Sequence, residues 1–196
     1  MIRRIFWLAL GAMALACAAM MPAAAQQTEP RLAFVVGNSA YGARPIPTAL
    51  NDAGLVAEAL RSIGFEVVDG GDLSQPDLVR SFREFLGKVQ AAGPDTLAFV
   101  YFSGLAVPFE GENFLLGVDA QISRDSDIPI QGVRLSDLMR PLADTPARAK
   151  VMMIDATREL PFQLQGRAPG LEAVEPPQGM LIAFSSAPGT IAPDRP

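Results

Sequence analysis

Asp155-Ala156-Thr157-Arg158 sets a carboxylate, a hydroxyl and a guanidinium within four residues, at the end of the apolar run Val151-Met152-Met153-Ile154. A threonine hydroxyl is a nucleophile only when a neighbouring base takes its proton, whereas Asp155 and Arg158 are charges that bind or pair. The chain contains no histidine, which removes the commonest general base and the commonest metal ligand. Its two lysines stand elsewhere: Lys88 falls late in a helical pattern, and Lys150 enters the apolar run at the end away from Thr157. Neither is placed to act as a base for that hydroxyl. A second chemistry-bearing turn, Ser103-Gly104-Leu105-Ala106, follows the run Thr96 to Phe102. Gly37-Asn38-Ser39-Ala40-Tyr41-Gly42 has the glycine spacing of a phosphate loop after a strand, but Ala43-Arg44 follows where Lys-Ser/Thr is required.

The elements that would position these residues are legible from periodicity. The continuous apolar run 151–154 reads as a strand buried on both faces, Arg31 to Gly37 as the first buried strand, and Thr96 to Phe102 as a further strand. Phe65-Glu66-Val67-Val68 reads as a short strand, Asn113 to Val118 as a strand or hairpin arm, and Met180 to Phe184 as the last strand. After a turn at Pro45 and Pro47, Ala53, Val56, Ala57, Leu60 and Ile63 fall on one face of a helix that starts from Asn51 and stops at Gly64. Ser74-Gln75-Pro76-Asp77 is a helix start, and Leu78, Phe82, Phe85, Leu86 and Val89 form a core stripe that ends at Gly93-Pro94. Residues 119–134 read as polar and irregular, and Ser136 as the cap of a short helix carrying Leu138, Met139 and Leu142. Strands alternating with helices predict an α/β fold, a mostly parallel sheet with helices on both faces. In such a sheet the carboxyl ends of the strands share one rim, so Asn38, Asp52, Leu105, Asp155 and Thr157 are expected around one crevice.

Met1-Ile2-Arg3-Arg4, an apolar stretch to Met21, and Ala23-Ala24-Ala25 have the order of a secretory signal peptide over residues 1–25. Ala14-Leu15-Ala16-Cys17 holds the only cysteine, in an order unfavourable for a lipoprotein site, so cleavage near Ala25 is the expectation. The mature chain is then secreted or periplasmic, without cysteine or disulfide, and without a membrane anchor. Net charge is −5 for the whole chain, and loss of Arg3 and Arg4 makes the remainder more acidic. That balance argues against nucleic acid or anionic lipid as a partner and is compatible with basic ones. A domain over residues 31–190 with a tail at 191–196 is long enough for one full core.

The chain resembles the caspase-like cysteine peptidases, in particular the bacterial relatives of metacaspases. The resemblance is carried by Leu32 to Tyr41, Leu50-Asn51-Asp52-Ala53, Phe99 to Gly104, Gly111 to Leu116, Ile154 to Arg158, and Met180 to Gly189. It implies a caspase-like three-layer sandwich of the large-subunit kind. It also implies a histidine at the position of Leu105 and the nucleophilic cysteine at the position of Thr157, so both members of the dyad are replaced. The acids that hold a basic residue in metacaspase-like enzymes correspond to Asp52 and Asp155.

Three readings follow. The first is a domain without peptidase activity that binds basic, Arg- or Lys-containing peptide segments through Asp52 and Asp155 and needs no cofactor or metal. In its plainer form Asp52 caps its helix and Asp155 ties down a loop. The second is a hydrolase with an unconventional nucleophile, and the third a generic α/β ligand-binding domain. Asp119, Asp125 and Asp127 are the residues nearest to the calcium dependence of some metacaspases, but Ca²⁺ takes six or more oxygens and a solvated loop is expected. Arg158 is expected to pair with a nearby acid. The resemblance also implies a further helix and strand beyond Phe184, where this sequence reaches Pro196. An unpaired sheet edge is therefore expected, open to a partner strand, a paralogue or a second copy in a homodimer.

Overall fold

In the computed structural model, residues 29–42, 44–160 and 170–191 are described. The expected leader at 1–25 with Cys17, Ala43, and residues 192–196 of the expected tail lie outside them. Five strands form one parallel sheet: β1 (Arg31–Gly37), β2 (Glu66–Gly71), β3 (Leu97–Ser103), β7 (Ala149–Asp155) and β8 (Met180–Phe184), in the order β2-β1-β3-β7-β8. Between β3 and β7 the chain builds a small antiparallel sheet from β4 (Ala106–Phe109), β5 (Glu112–Leu116) and β6 (Gly132–Arg134). This is the α/β sandwich with a mostly parallel sheet that the sequence predicts.

Helices cover the two faces unequally. α1 (Pro47–Ser62) lies on the face that carries Ala33, Val35 and Tyr101, and buries Ala53, Ala57 and Leu60 there. α2 (Gln75–Ala92) and α4 (Leu135–Ala143) cover the opposite face, where Phe82, Phe85, Leu138 and Leu142 pack on Phe34, Val100 and Met152. Phe34 stacks on Phe85 with ring centroids 5.7 Å apart. Among the described residues no helix covers the α1 face at β7 and β8. Met153 is consequently 40% exposed and Leu181 is open to solvent. The run 151–154 is therefore buried fully on one face only, not on both.

Several boundaries differ from the sequence reading, each for a local reason. α1 begins at Pro47, which occupies the first turn where a missing N–H costs nothing. Its cap residue is Ile46, so Asp52 sits inside the helix and does not cap it. β2 runs on through Gly70 and Gly71 because β1 pairs with it to Gly37↔Gly71. Residues 119–134 are not wholly irregular: a 3-10 turn at Asp125–Asp127 leads into α3 (Ile128–Gln131) and then β6. Ser136 does not cap α4, whose cap position is Arg134, and its hydroxyl instead donates to Glu112 at 3.2 Å. Ser74 does cap α2, accepting from the amide of Asp77 at 3.3 Å. No helix among the described residues is long and apolar enough to cross a membrane.

Candidate functional site

Register fixes the rim. Gly37 pairs with Ser103, and Ser103 with Asp155, so three strands end in one line. Past that line the backbones stay together. The amide of Asn38 donates to Ser103 at 2.8 Å, Gly104 to Asp155 at 3.2 Å, and Ala106 to Ala156 at 3.3 Å. Leu105 and Thr157 are thereby held on adjoining turns. Gly37 lets α1 approach: a β-carbon there would lie 2.5 Å from the carbonyl oxygen of Ala49. The first turns of α1, with Asp52, thus rest on the same rim.

The side chains at the two positions go to different neighbours. Leu105 is 1% exposed and packs with Tyr41, Ile46, Phe114, Leu116 and Ile128 in a second apolar cluster. Its amide donates to the Tyr41 hydroxyl at 2.9 Å, and that hydroxyl donates in turn to the carbonyl of Leu116 at 3.0 Å. Burial, the dominant cause, pushes the Tyr41 phenol well above its ordinary pKa. Thr157 is 2% exposed. Its hydroxyl accepts from Ser186 at 2.6 Å and shares a 3.1 Å hydrogen bond with Ser185. Among the described residues no carboxylate or amine reaches that hydroxyl, and its partners there, Ser185 and Ser186, are alcohols that do not abstract protons at neutral pH.

The two acids do meet, on a cation supplied by the chain itself. Arg158 Nη2 lies 3.2 Å from Asp155 Oδ2 and 3.9 Å from Asp52 Oδ2. The arginine side chain is 10% exposed, against 25% for Asp155 and 36% for Asp52. The guanidinium is therefore inside and the carboxylates are on the solvent side. Its Nε is buried without a partner among the described residues, an arrangement that typically costs about 1–3 kcal/mol. Tyr101 completes the group, with its hydroxyl donating to Asp155 at a marginal 3.5 Å. Burial first, and the Asp155 charge second, push its pKa up to about 12.

Three other sequence candidates are used structurally. Asn38 is fully buried, and its side chain bonds the backbone of Leu73 and Leu116 instead of facing the crevice. The amides of Ser39 and Ala40, which a phosphate would need, both donate to Asp72 at 2.7 and 2.8 Å. Asp119 accepts from the amide of Gln75, and Asp127 from the amides of Ser123 and Arg124. Among the described residues no cluster of three metal-ligating side chains forms. Both lysines lie away from Thr157, with Lys88 paired to Glu66 and Lys150 buried at the start of β7.

Comparison with known families agrees with this architecture. A family model described as the caspase domain matches residues 30–196. The chain belongs to the caspase domain family. No curated protein sequence matches it. In a caspase domain the ends of β3 and β7 are where the sequence resemblance puts histidine and cysteine, and here Leu105 and Thr157 stand there on adjoining turns. Sequence reasoning missed Tyr41 and Asp72, whose partners are backbone amides and carbonyls of distant segments. Tyr41 stood inside the motif Asn38-Ser39-Ala40-Tyr41, which was the one available signal.

Proposed function

We propose that this caspase-domain chain does not cleave peptides and works by binding, with basic segments as its ligands. The observation that carries the reading is the environment of the two dyad positions. Leucine neither accepts nor donates a proton, and the Thr157 hydroxyl is surrounded by alcohols. A dyad that acts as a unit leaves little rate enhancement once both members are gone. What supports the choice of ligand is the convergence of Asp52 and Asp155, two partly exposed carboxylates around one guanidinium. Asp155 accepts a charge-assisted hydrogen bond from that guanidinium and Asp52 lies within ion-pair distance of it, which supports an arginine or lysine side chain as the ligand. The acidic balance of the chain favours the same class of partner and disfavours nucleic acid and anionic membranes. The leader sequence supports a secreted or periplasmic place of action.

Isothermal titration of the protein with an arginine-containing peptide tests the ligand. The expected result is salt-sensitive binding that weakens at least fivefold in Asp52→Asn. Absence of heat with arginine and lysine peptides alike, or affinity indifferent to Asp52, overturns it.

A further inference from the structure

We propose that Arg158 is a resident competitor for the acidic site: it occupies Asp52 and Asp155 in cis, and a partner's arginine binds by displacing it. This rests on the reading of those acids as the site for basic segments. Arg158 is three residues beyond Asp155 and reaches back to it, so the latch is local and its release needs no change in the sheet. The site is also poorly filled by its own arginine. One nitrogen serves both acids, closely at 3.2 Å and distantly at 3.9 Å, while Nε finds no partner among the described residues. A guanidinium arriving from solvent meets the exposed side of both carboxylates and can present two donors in a planar fork. The exchange replaces one guanidinium by another and so leaves the net charge of the site unchanged. Occupation by both at once would bring two guanidinium groups close together against the same two carboxylates, where like charges repel.

Among the described residues, the contacts that follow Arg158 lie at the surface or are partly exposed. Glu159 pairs with Arg44 at 2.7 Å on the surface, and Leu160 is only partly buried against the second apolar cluster. Surface pairs of that kind are weak. Displacement of Arg158 therefore loosens the segment next to Thr157, and a basic partner changes the surface that the protein shows to others.

Titration of the full chain with acetyl-arginine amide, comparing wild type with Arg158→Met, tests the latch. Methionine keeps an apolar stem in the space and removes the charge. The variant should bind at least tenfold more tightly than wild type, and Asp52→Asn added to it should abolish the gain. Equal affinity in wild type and Arg158→Met overturns the latch. The two proposals fail separately. If the variant binds and wild type binds no arginine ligand or peptide, the latch stands and the basic-partner function fails. If wild type binds through Asp52 and the variant binds no better, the function stands and the latch fails. A readout without any variant is the Arg158 Nε–H signal in ¹⁵N-arginine-labelled protein. It should exchange slowly with water in the free chain and lose that protection as acetyl-arginine amide is added. Fast exchange in the free chain overturns the latch.

Discussion

At the scale of single residues, the positions that would do chemistry have become parts of the core. Leu105 fills space among Tyr41, Leu116 and Phe114, so Leu105→Ala should cost about 3 kcal/mol, the usual penalty for a cavity at a fully buried leucine. Urea denaturation would read it as a lowered midpoint at constant slope. The two buried phenols give a pH dependence. Both Tyr41 and Tyr101 have pKa values raised above the ordinary 10.0. In the unfolded chain they lose their protons near pH 10, while the fold keeps them neutral. Their contribution is thus complete below pH 10 and is lost as pH rises, for Tyr101 through about 12. Stability measured by urea midpoint should fall steadily above pH 10, and Tyr101→Phe should make that fall shallower. A midpoint flat from pH 9 to 12 would contradict the burial of these rings.

At the scale of elements, close approaches and caps hold the rim. Gly37→Ala would drive a methyl into the Ala49 carbonyl and the Ala53 side chain, and a loss of about 1–3 kcal/mol is expected, with α1 lifted from β1. Ser74→Ala removes the cap of α2 and should cost about 1 kcal/mol. The same substitution should let the Asp77 carboxyl titrate higher, because the Ser74 hydroxyl is the first cause of its lowered pKa. Most elements were readable in the sequence because each carries one dominant signal. Ser74-Gln75-Pro76-Asp77 announces a helix, and Arg31 to Gly37 a buried strand. Elements that exist through the strand beside them, with no strong pattern of their own, were not readable. β4 is paired only through the turn at Glu110-Gly111, where both residues take positive φ and the strands close on each other. β6 is three residues long and exists because β5 lies beside it.

At the scale of the whole molecule, topology explains why the site was partly legible. A parallel sheet must bring the ends of β1, β3 and β7 together, so the neighbourhood of Leu105, Asp155 and Thr157 follows from strand order alone. Side-chain direction does not follow from strand order. That Asn38 turns into the backbone of Leu73 and Leu116, or that Arg158 folds back onto two acids, is decided by packing that no local pattern records. One theme recurs at this scale: the rim carries places where a ligand's charge would fit, and the chain's own side chains stand in them. Asp72 sits on the amides of Ser39 and Ala40, and Arg158 on Asp52 and Asp155. The sheet itself is less self-contained, since Met153 and Leu181 leave an apolar strip on the α1 face without a helix over it among the described residues. Substituting Met153 by lysine should therefore shift the urea midpoint by less than the equivalent of about 0.5 kcal/mol, whereas the same change at the buried Met152 should unfold the chain.

The proposed absence of peptide cleavage is tested most directly by turnover. The purified chain, with Thr157→Ala beside it, is incubated with fluorogenic peptides ending in arginine or lysine, and release of the fluorophore is followed over hours. The same background rate is expected for both proteins and for buffer. Release above buffer that disappears in Thr157→Ala would contradict it.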